Sequence, residues 1–320
     1  MKKILVLRFS SIGDIVLTTP VLRCIKKQVP EVELHYCTKK AYYNCIEHNP
    51  YLDKIFVLEN DLDALVKNLK EEQYDLVIDL HRNLRTRIIK WKLGVKSHAY
   101  DKLNLKKWLL VNLKINSLPP VHIVDRYLKT VAALGVKDDG LGLDFPIPKT
   151  ETVSIDHLPL AFHLGYVVFA VGAQHYTKRM TAAKIIEFAK QINQPIILIG
   201  GKEDNAVGQQ IRDVLYNLDL PVINTCGQYS LLQSASLLIR ARFVVTNDTG
   251  LMHIAAALKK KIYVAWGSTV PEFGMYPYRT EFINIENKNL SCRPCSKIGF
   301  SKCPKGHFKC IQELKFPALP

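Results

Sequence analysis

An α/β architecture, with two Rossmann-like domains facing a central cleft, is the fold class the sequence predicts. Three observations carry it. Short apolar runs of strand length alternate with segments of helical periodicity, the rhythm of parallel strands covered on both faces by helices. That rhythm breaks once, between Asp138 and Leu164, where Gly140, Gly142, Pro146, Pro148 and Pro159 cluster, and then restarts. The length of 320 residues suits two domains. The break reads as a linker, giving domains at 1–150 and 151–320.

Element by element, Lys3–Phe9 is a β-rich apolar run that leads into a turn with Ser10, Ser11 and Gly13. Ile15–Gln28 carries Ile15, Val16, Val21, Leu22 and Ile25 at helical spacing, with Pro20 as a kink or a junction between two short helices. Glu33–Cys37 and Lys54–Leu58 are short strands, Leu62–Glu72 a helix and Asp75–Leu80 a buried strand. The second half repeats the scheme. Strands are expected at Val167–Val171, Pro195–Gly200, Val222–Asn224, Phe243–Thr246 and Ile262–Ala265, and helices at Ala182–Ile192, Glu203–Leu215, Leu231–Arg240 and Leu251–Leu258. Ligands of such sheets sit beyond the carboxyl ends of the strands. Chemistry is therefore expected at the turns after Phe9, Val171, Gly200 and Thr246.

Apolar residues make up 48% and charged residues 23%, which excludes disordered and fibrous classes. No apolar run approaches the ~20 residues of a membrane span. The opening apolar stretch, Ile4–Leu7, is too short for a signal-peptide core, so a cytoplasmic protein is expected. Cys24, Cys37, Cys45 and Cys226 stand in apolar surroundings, as buried free thiols do. The net charge of +15 is uneven: from Arg82 to Lys114 there are ten basic residues against one acid, Asp101. Such a field favours a nucleic acid, a membrane surface or an anionic sugar-lipid; the plainer alternative is a solvated helix face. The chain shows no aromatic RNA-binding motif or recognition-helix pattern, so nucleic acid is not expected.

Four strand-end constellations carry the chemistry. In Arg8–Asp14, one glycine stands where a dinucleotide fingerprint needs three, which argues against a dehydrogenase. Asp14 opens a helix and has the residue type of a general base; alternatively it only complements the helix N-terminus. In Gly172–Arg179, small residues followed by a Lys-Arg pair suit a diphosphate, or form an ordinary loop. Thr246–His253 is rich in capping residues before a helix, an anion site or simply a cap. Asp248 would repel a phosphate there and suits loop orientation or a sugar hydroxyl. Trp266–Gly274 adds small and hydroxyl residues. Asp61-Leu62-Asp63 has metal-binding spacing but opens a helix away from every strand end, and no catalytic metal is expected. Cys292, Cys295, Cys303 and Cys310, with His307 among them, have spacing for a structural zinc. Reduced thiols and a disulfide pair are the alternatives.

Together these motifs resemble glycosyltransferase family 9, the ADP-heptose–lipopolysaccharide heptosyltransferases. The likeness is most specific in Ile4–Pro20 and Asn247–Ala257, and extends to the closing Cys292–Cys310. The resemblance implies a GT-B fold, with an acceptor-binding first domain and a donor-binding second. It implies inverting, metal-independent transfer of a heptose or related sugar from ADP-heptose to a lipopolysaccharide inner core, with no cofactor for catalysis. By the same likeness Asp14 is the base, Lys178 contacts the donor diphosphate and Glu203 holds the donor nucleoside. Asp248, Thr249, Gly250, Leu251 and His253 form the donor loop. Met180 and Thr181 depart from the family's aromatic and proline, and Ala170 and Val171 from its proline or histidine. An anionic glycolipid acceptor suits Arg82, Arg85 and Arg87, and Lys106–Leu110 mixes charge with apolar bulk as a contact with the inner membrane surface does. The rival classes are a GT-B sugar-nucleotide epimerase, which needs no acceptor, and a basic nucleic-acid-binding protein.

Overall fold

The structure, a computed structural model, describes residues 2–317. The chain divides into two compact units, Met1–Lys102 with Val121–Pro146, and Leu103–Pro120 with Ile147–Pro320.

The first unit is built on five parallel strands: β1 (Lys2–Leu7), β2 (Val32–Lys39), β3 (Lys54–Leu58), β4 (Leu76–Asp79) and β5 (Ser97–Ala99), in the order β3-β2-β1-β4-β5. Ile4–Leu7 are wholly buried, since a central parallel strand is covered on both faces and needs no polar alternation. Helices α1 (Ile12–Val16) and α2 (Thr19–Gln28) follow β1, with Pro20 in the first turn of α2, where its missing N–H has no partner to lose. Next come α3 (Leu62–Glu71), capped by Asp61, and α4 (Leu84–Leu93), capped by Asn83 and ended by Gly94 at φ 68°. The Asp61 carboxylate accepts from the N–H groups of Asp63 and Ala64, so this Asp-x-Asp pair is a helix cap. α5 (Asn104–Leu113) belongs to the second unit and α6 (Ile123–Leu128) to the first.

Buried Arg23 ties the end of the first unit to α2. It donates to Asp139, Asp144 and the Gly142 carbonyl, which holds the glycine-rich start of the linker region onto this unit. Segment 103–120 groups with the second unit, whereas the sequence places it within 1–150. Leu110 buries itself against Val270 and Phe273, and the Lys114 ammonium donates to the Pro294 carbonyl at 2.7 Å.

Six parallel strands form the second sheet: β6 (Tyr166–Ala170), β7 (Ile196–Ile199), β8 (Val222–Asn224), β9 (Ala241–Asn247), β10 (Ile262–Trp266) and β11 (Phe282–Glu286), in the order β11-β10-β9-β6-β7-β8. Its helices are α7 (Ala182–Ala189), α8 (Asn205–Tyr216), α9 (Leu231–Ile239), α10 (Gly250–Ala257) and α11 (Lys309–Gln312). This is the doubly wound order, which reverses direction between β6 and β9 and leaves a crevice beyond their carboxyl ends. The first sheet reverses likewise between β1 and β4.

Candidate active site

At the first reversal the last apolar residue of β1 is followed by Arg8, a guanidinium with only 6% of its surface exposed. Its buried donors need acceptors. Arg8 donates to the carbonyls of Ser10 (2.7 Å) and Leu80 (2.5 Å) and to the Tyr127 hydroxyl (3.0 Å). Its remaining nitrogen lies 2.6 Å from Asp14 Oδ1. Burial works against the Arg8 charge, but Asp14 and the neighbouring phenols outweigh it and raise the pKa. Asp14 Oδ2 accepts from both the backbone N–H (3.2 Å) and the hydroxyl (2.8 Å) of Ser11. The carboxylate is thus fixed on both oxygens, while about a fifth of its side chain stays open to solvent. An opposite charge at that distance favours the ionised form of a carboxylate.

His81 faces the same corner, its ring edge-on to Phe9. Its buried Nδ1 has no hydrogen-bond partner, and burial with the charges of Arg8 and Lys102 pushes its pKa down to about 4. Lys102 is itself lowered by burial and by Arg8. Neither residue stands out in the sequence, because their proximity to Arg8 comes from separate strand ends.

At the second reversal Asn247 ends β9. Its Nδ2 donates toward the carbonyls of Ala170, Val171 and Gly172 at 3.3–3.4 Å, and its Oδ1 accepts from the Met180 N–H at 2.9 Å. It thereby joins the end of β6 to the loop that carries Lys178. The Lys178 ammonium lies 2.7 Å from Asp248 Oδ2, which also accepts from the Thr269 hydroxyl at 2.7 Å. Thr249 caps α10 by accepting from the Leu251 N–H at 3.1 Å, Gly250 is the helix's first residue, and His253 is buried one turn in. Lys178, Asp248 and the start of α10 therefore come together as the sequence motifs suggest. Thr269 enters through the fourth constellation, and buried Arg293 holds that loop from behind by donating to the carbonyls of Gly267 and Thr269.

Glu203 lies exposed on the turn Lys202–Asp204, where its carboxylate covers Gly201. Its neighbour Asp204 is the buried one. Asp204 accepts from the Gly201 N–H at 2.9 Å and pairs with Arg179 at 3.4 Å, and burial raises its pKa. A Cβ on Gly172 would stand 1.9 Å from the Asp204 carboxylate, so any larger residue there must displace that buried acid from its partners. Arg82 donates to the Tyr100 carbonyl, while Arg85 and Arg87 are exposed on α4.

Cys292, Cys295, Cys303 and Cys310 are free thiols. Cys292 Sγ lies 3.9 Å from His307 Nε2. Burial, then the neighbouring thiols, pushes Cys295 up to about 11 and Cys310 up to about 12. Among the described residues, the groups that bring three ligand atoms within 4.8 Å of one another are Cys24–Asp138–Asp139 and Glu33–His35–Glu72; the four clustered thiols do not. The second of those groups is already engaged: Glu72 with Lys3 and Lys54, His35 with Glu33 and Tyr74.

Residues 62–304 match the model of glycosyltransferase family 9 (heptosyltransferase); the Asp14 turn lies ahead of the matched stretch. The lipooligosaccharide heptosyltransferase 2 of Haemophilus ducreyi is 26% identical over 300 residues, which cover 85% of each chain. The structure of Escherichia coli ADP-heptose lipopolysaccharide heptosyltransferase II aligns over 98% of both chains at 20% identity and a TM-score of 0.70. That of E. coli heptosyltransferase WaaC with ADP aligns over 88% of this chain and 93% of that one, at 20% identity and a TM-score of 0.65. These structural likenesses show the fold, which is of the GT-B type. Because the family match spans most of the sequence, the chain is a glycosyltransferase and belongs to family 9, the heptosyltransferases.

Proposed function

We propose that this enzyme moves a heptose from ADP-heptose to an inner-core sugar of lipopolysaccharide by an inverting displacement that uses no divalent metal. The first unit takes the acceptor and the second the donor. The observation that carries the mechanism is the Asp14 carboxylate, held in place by buried Arg8. Asp14 takes the proton from the acceptor hydroxyl as that oxygen attacks the anomeric carbon. The bond from that carbon to the diphosphate breaks, and the diphosphate leaves with the electron pair. Proton removal comes late, when the attacking oxygen has already become acidic, so a carboxylate tempered by an ion pair suffices.

Lys178 and the N–H groups around Thr249–Leu251 neutralise the departing diphosphate. Asp248 releases Lys178 to the phosphates and turns to a sugar hydroxyl, with Gly250 and His253 shaping the loop and Glu203 reaching the nucleoside. Relatives named as ADP-heptose enzymes support the donor. Arg82, Arg85 and Arg87 meet the anionic groups of the acceptor, Arg82 those of its sugars and Arg85 and Arg87, exposed on α4, those nearest its lipid anchor. An acceptor of this kind lies in a bilayer, which gives a peripheral membrane contact at Lys106–Leu110. Exposed Trp108 supports that contact, although Leu110 is turned inward. Among the described residues no helix is long and apolar enough to cross a membrane. A structural zinc held by Cys292, Cys295, Cys303 and Cys310 belongs to the same reading. Its support is their spacing and the mutual influence of the neighbouring thiols; the four would hold the ion as thiolates and it would brace the segment they span. About one zinc per purified chain is the expected content; a metal-free, fully folded and active preparation rejects it.

The central experiment uses ADP-heptose and a delipidated inner-core acceptor. Transfer should yield the anomer opposite to the donor's, and Asp14→Asn should slow it by about 100-fold or more. Retained configuration, or an Asn variant within about tenfold of the native enzyme, overturns the assignment. Calorimetry with ADP, GDP and UDP sugars tests the donor.

A further inference from the structure

We propose that the outward face of α4 is a docking surface for an anionic lipid bilayer. This deepens the peripheral-membrane part of the proposed function and rests on it. At 100° per residue, Leu84, Ile88 and Trp91 fall on one stripe of the helix. Leu84 is 70% exposed and Trp91 80%, far more than a helix that only covers a sheet would leave in water. The opposite face already does that work: Thr86 and Ile89 are buried, and the Lys90 ammonium reaches buried Asp79 at 2.9 Å. The helix is thus apolar on two sides, and among the described residues only one of them is covered.

The cations say what covers the other. Arg87 borders the stripe on one side, and Arg85 and Lys92 on the other. An apolar stripe with a tryptophan between basic margins is the pattern of a helix lying in the headgroup layer, where the ring sits at the polar boundary and the cations meet lipid phosphates. A second copy of this chain fits poorly. Self-association of this face would set Arg85 and Arg87 against the same arginines, and α4 contains no acid to pair with them. The acids that reach this helix, Asp79 of β4 and Asp63 of α3, are already paired with Lys90 and Lys92. An uncharged apolar partner would leave the cations unmatched. A bilayer with anionic headgroups satisfies both the stripe and its margins.

The test is co-sedimentation of the full chain with phosphatidylethanolamine vesicles containing ~30% phosphatidylglycerol, against vesicles of phosphatidylcholine alone. The native protein should bind the anionic vesicles and release as salt rises. The double variant Leu84→Ser/Trp91→Ala should bind about tenfold more weakly or worse, while transferring to a delipidated acceptor at the native rate. In a Trp108→Phe background, Trp91 is the exposed tryptophan and Trp266 is buried, so vesicles should shift the emission to the blue. Absence of vesicle binding overturns both this inference and the membrane contact beneath it. Binding lost in Trp108→Ala but unchanged in the double variant leaves the membrane contact at α5 and rejects α4. Concentration-dependent self-association that the double variant abolishes identifies a second copy as the occupant, and also rejects the proposal.

Discussion

The two sheets solve one geometric problem in different ways. Where a parallel sheet reverses direction, two neighbouring strands end side by side and leave backbone groups that must find partners. Between β1 and β4 the bridge is Arg8, a cation that reaches two carbonyls, a phenol and a carboxylate. Between β6 and β9 it is Asn247, a neutral amide that reaches three carbonyls and one N–H. The amide only positions backbone. The guanidinium also sets the charge of its surroundings: it fixes Asp14 and adds to the burial that lowers the pKa of His81 and Lys102. A neutral clamp leaves the cation of the second reversal, Lys178, on a loop from which a ligand can take it over.

Substitutions at Arg8, Lys178 and Asn247 and a titration of His81 probe that contrast. Arg8→Met should have the largest effect, because it strands the buried carbonyl of Leu80 and removes the partner of Asp14. Urea unfolding should show a loss of about 3–5 kcal/mol. Arg8→Lys should recover little of it, since one ammonium cannot reach in three directions. A loss below about 1 kcal/mol would show that the clamp carries no stability. Lys178→Ala should cost less, about 1–2 kcal/mol, because Asp248 keeps the Thr269 hydroxyl as a partner when the ammonium is removed. It should lower kcat/KM for transfer by about 100-fold or more; native kinetics would reject the diphosphate role. Asn247→Ala should cost about 2 kcal/mol by removing a buried hydrogen-bonding hub. Its unfolding curve should keep the native pH dependence, which separates a neutral clamp from a charged one.

The titration of His81 has an effect of the same order as Asn247→Ala, spread over a pH range. Its pKa of about 4 in the fold lies below the ordinary 6.5, so folding favours the neutral ring. Below pH 6.5 the unfolded chain takes up a proton that the folded one refuses. The stability present above that pH is lost as pH falls toward 4, by about 2 kcal/mol once the solvated part of the ring is allowed for. His35 is lowered by burial as well and adds to the same slope. The measurement is therefore the difference between native protein and His81→Gln, which should be flatter over this window.

Much of this fold follows from local pattern. Strands such as Tyr166–Ala170, buried at every position, read directly as apolar runs, and the turns after β1 and β9 bear their own capping residues. β5 and β11 do not read that way: Ser97–Ala99 has three residues with exposed ends, and Phe282–Glu286 alternates with polar residues. Lys178 and Asp248 each stand in a motif with its own helix-entry chemistry, but their ion pair comes from the packing of two loops and is not legible in either motif. Arg8 is harder to read, since an arginine after an apolar strand looks solvent-facing until Leu80 and Tyr127 surround it. Asp204 was hidden behind Glu203, because only the packing of Gly172 and Gly200 decides which of two adjacent acids turns inward.

The excursion of residues 103–120 has a practical bearing on dissecting the enzyme. The polypeptide passes from one unit to the other after Lys102, returns after Pro120 and leaves again after Pro146. A fragment truncated at Pro146 would carry α5 with it but lose Val270 and Phe273, against which Leu110 is packed. Isolating the amino-terminal unit therefore calls for splicing Lys102 to Val121 through a short linker, and the carboxyl-terminal unit needs its missing helix grafted back.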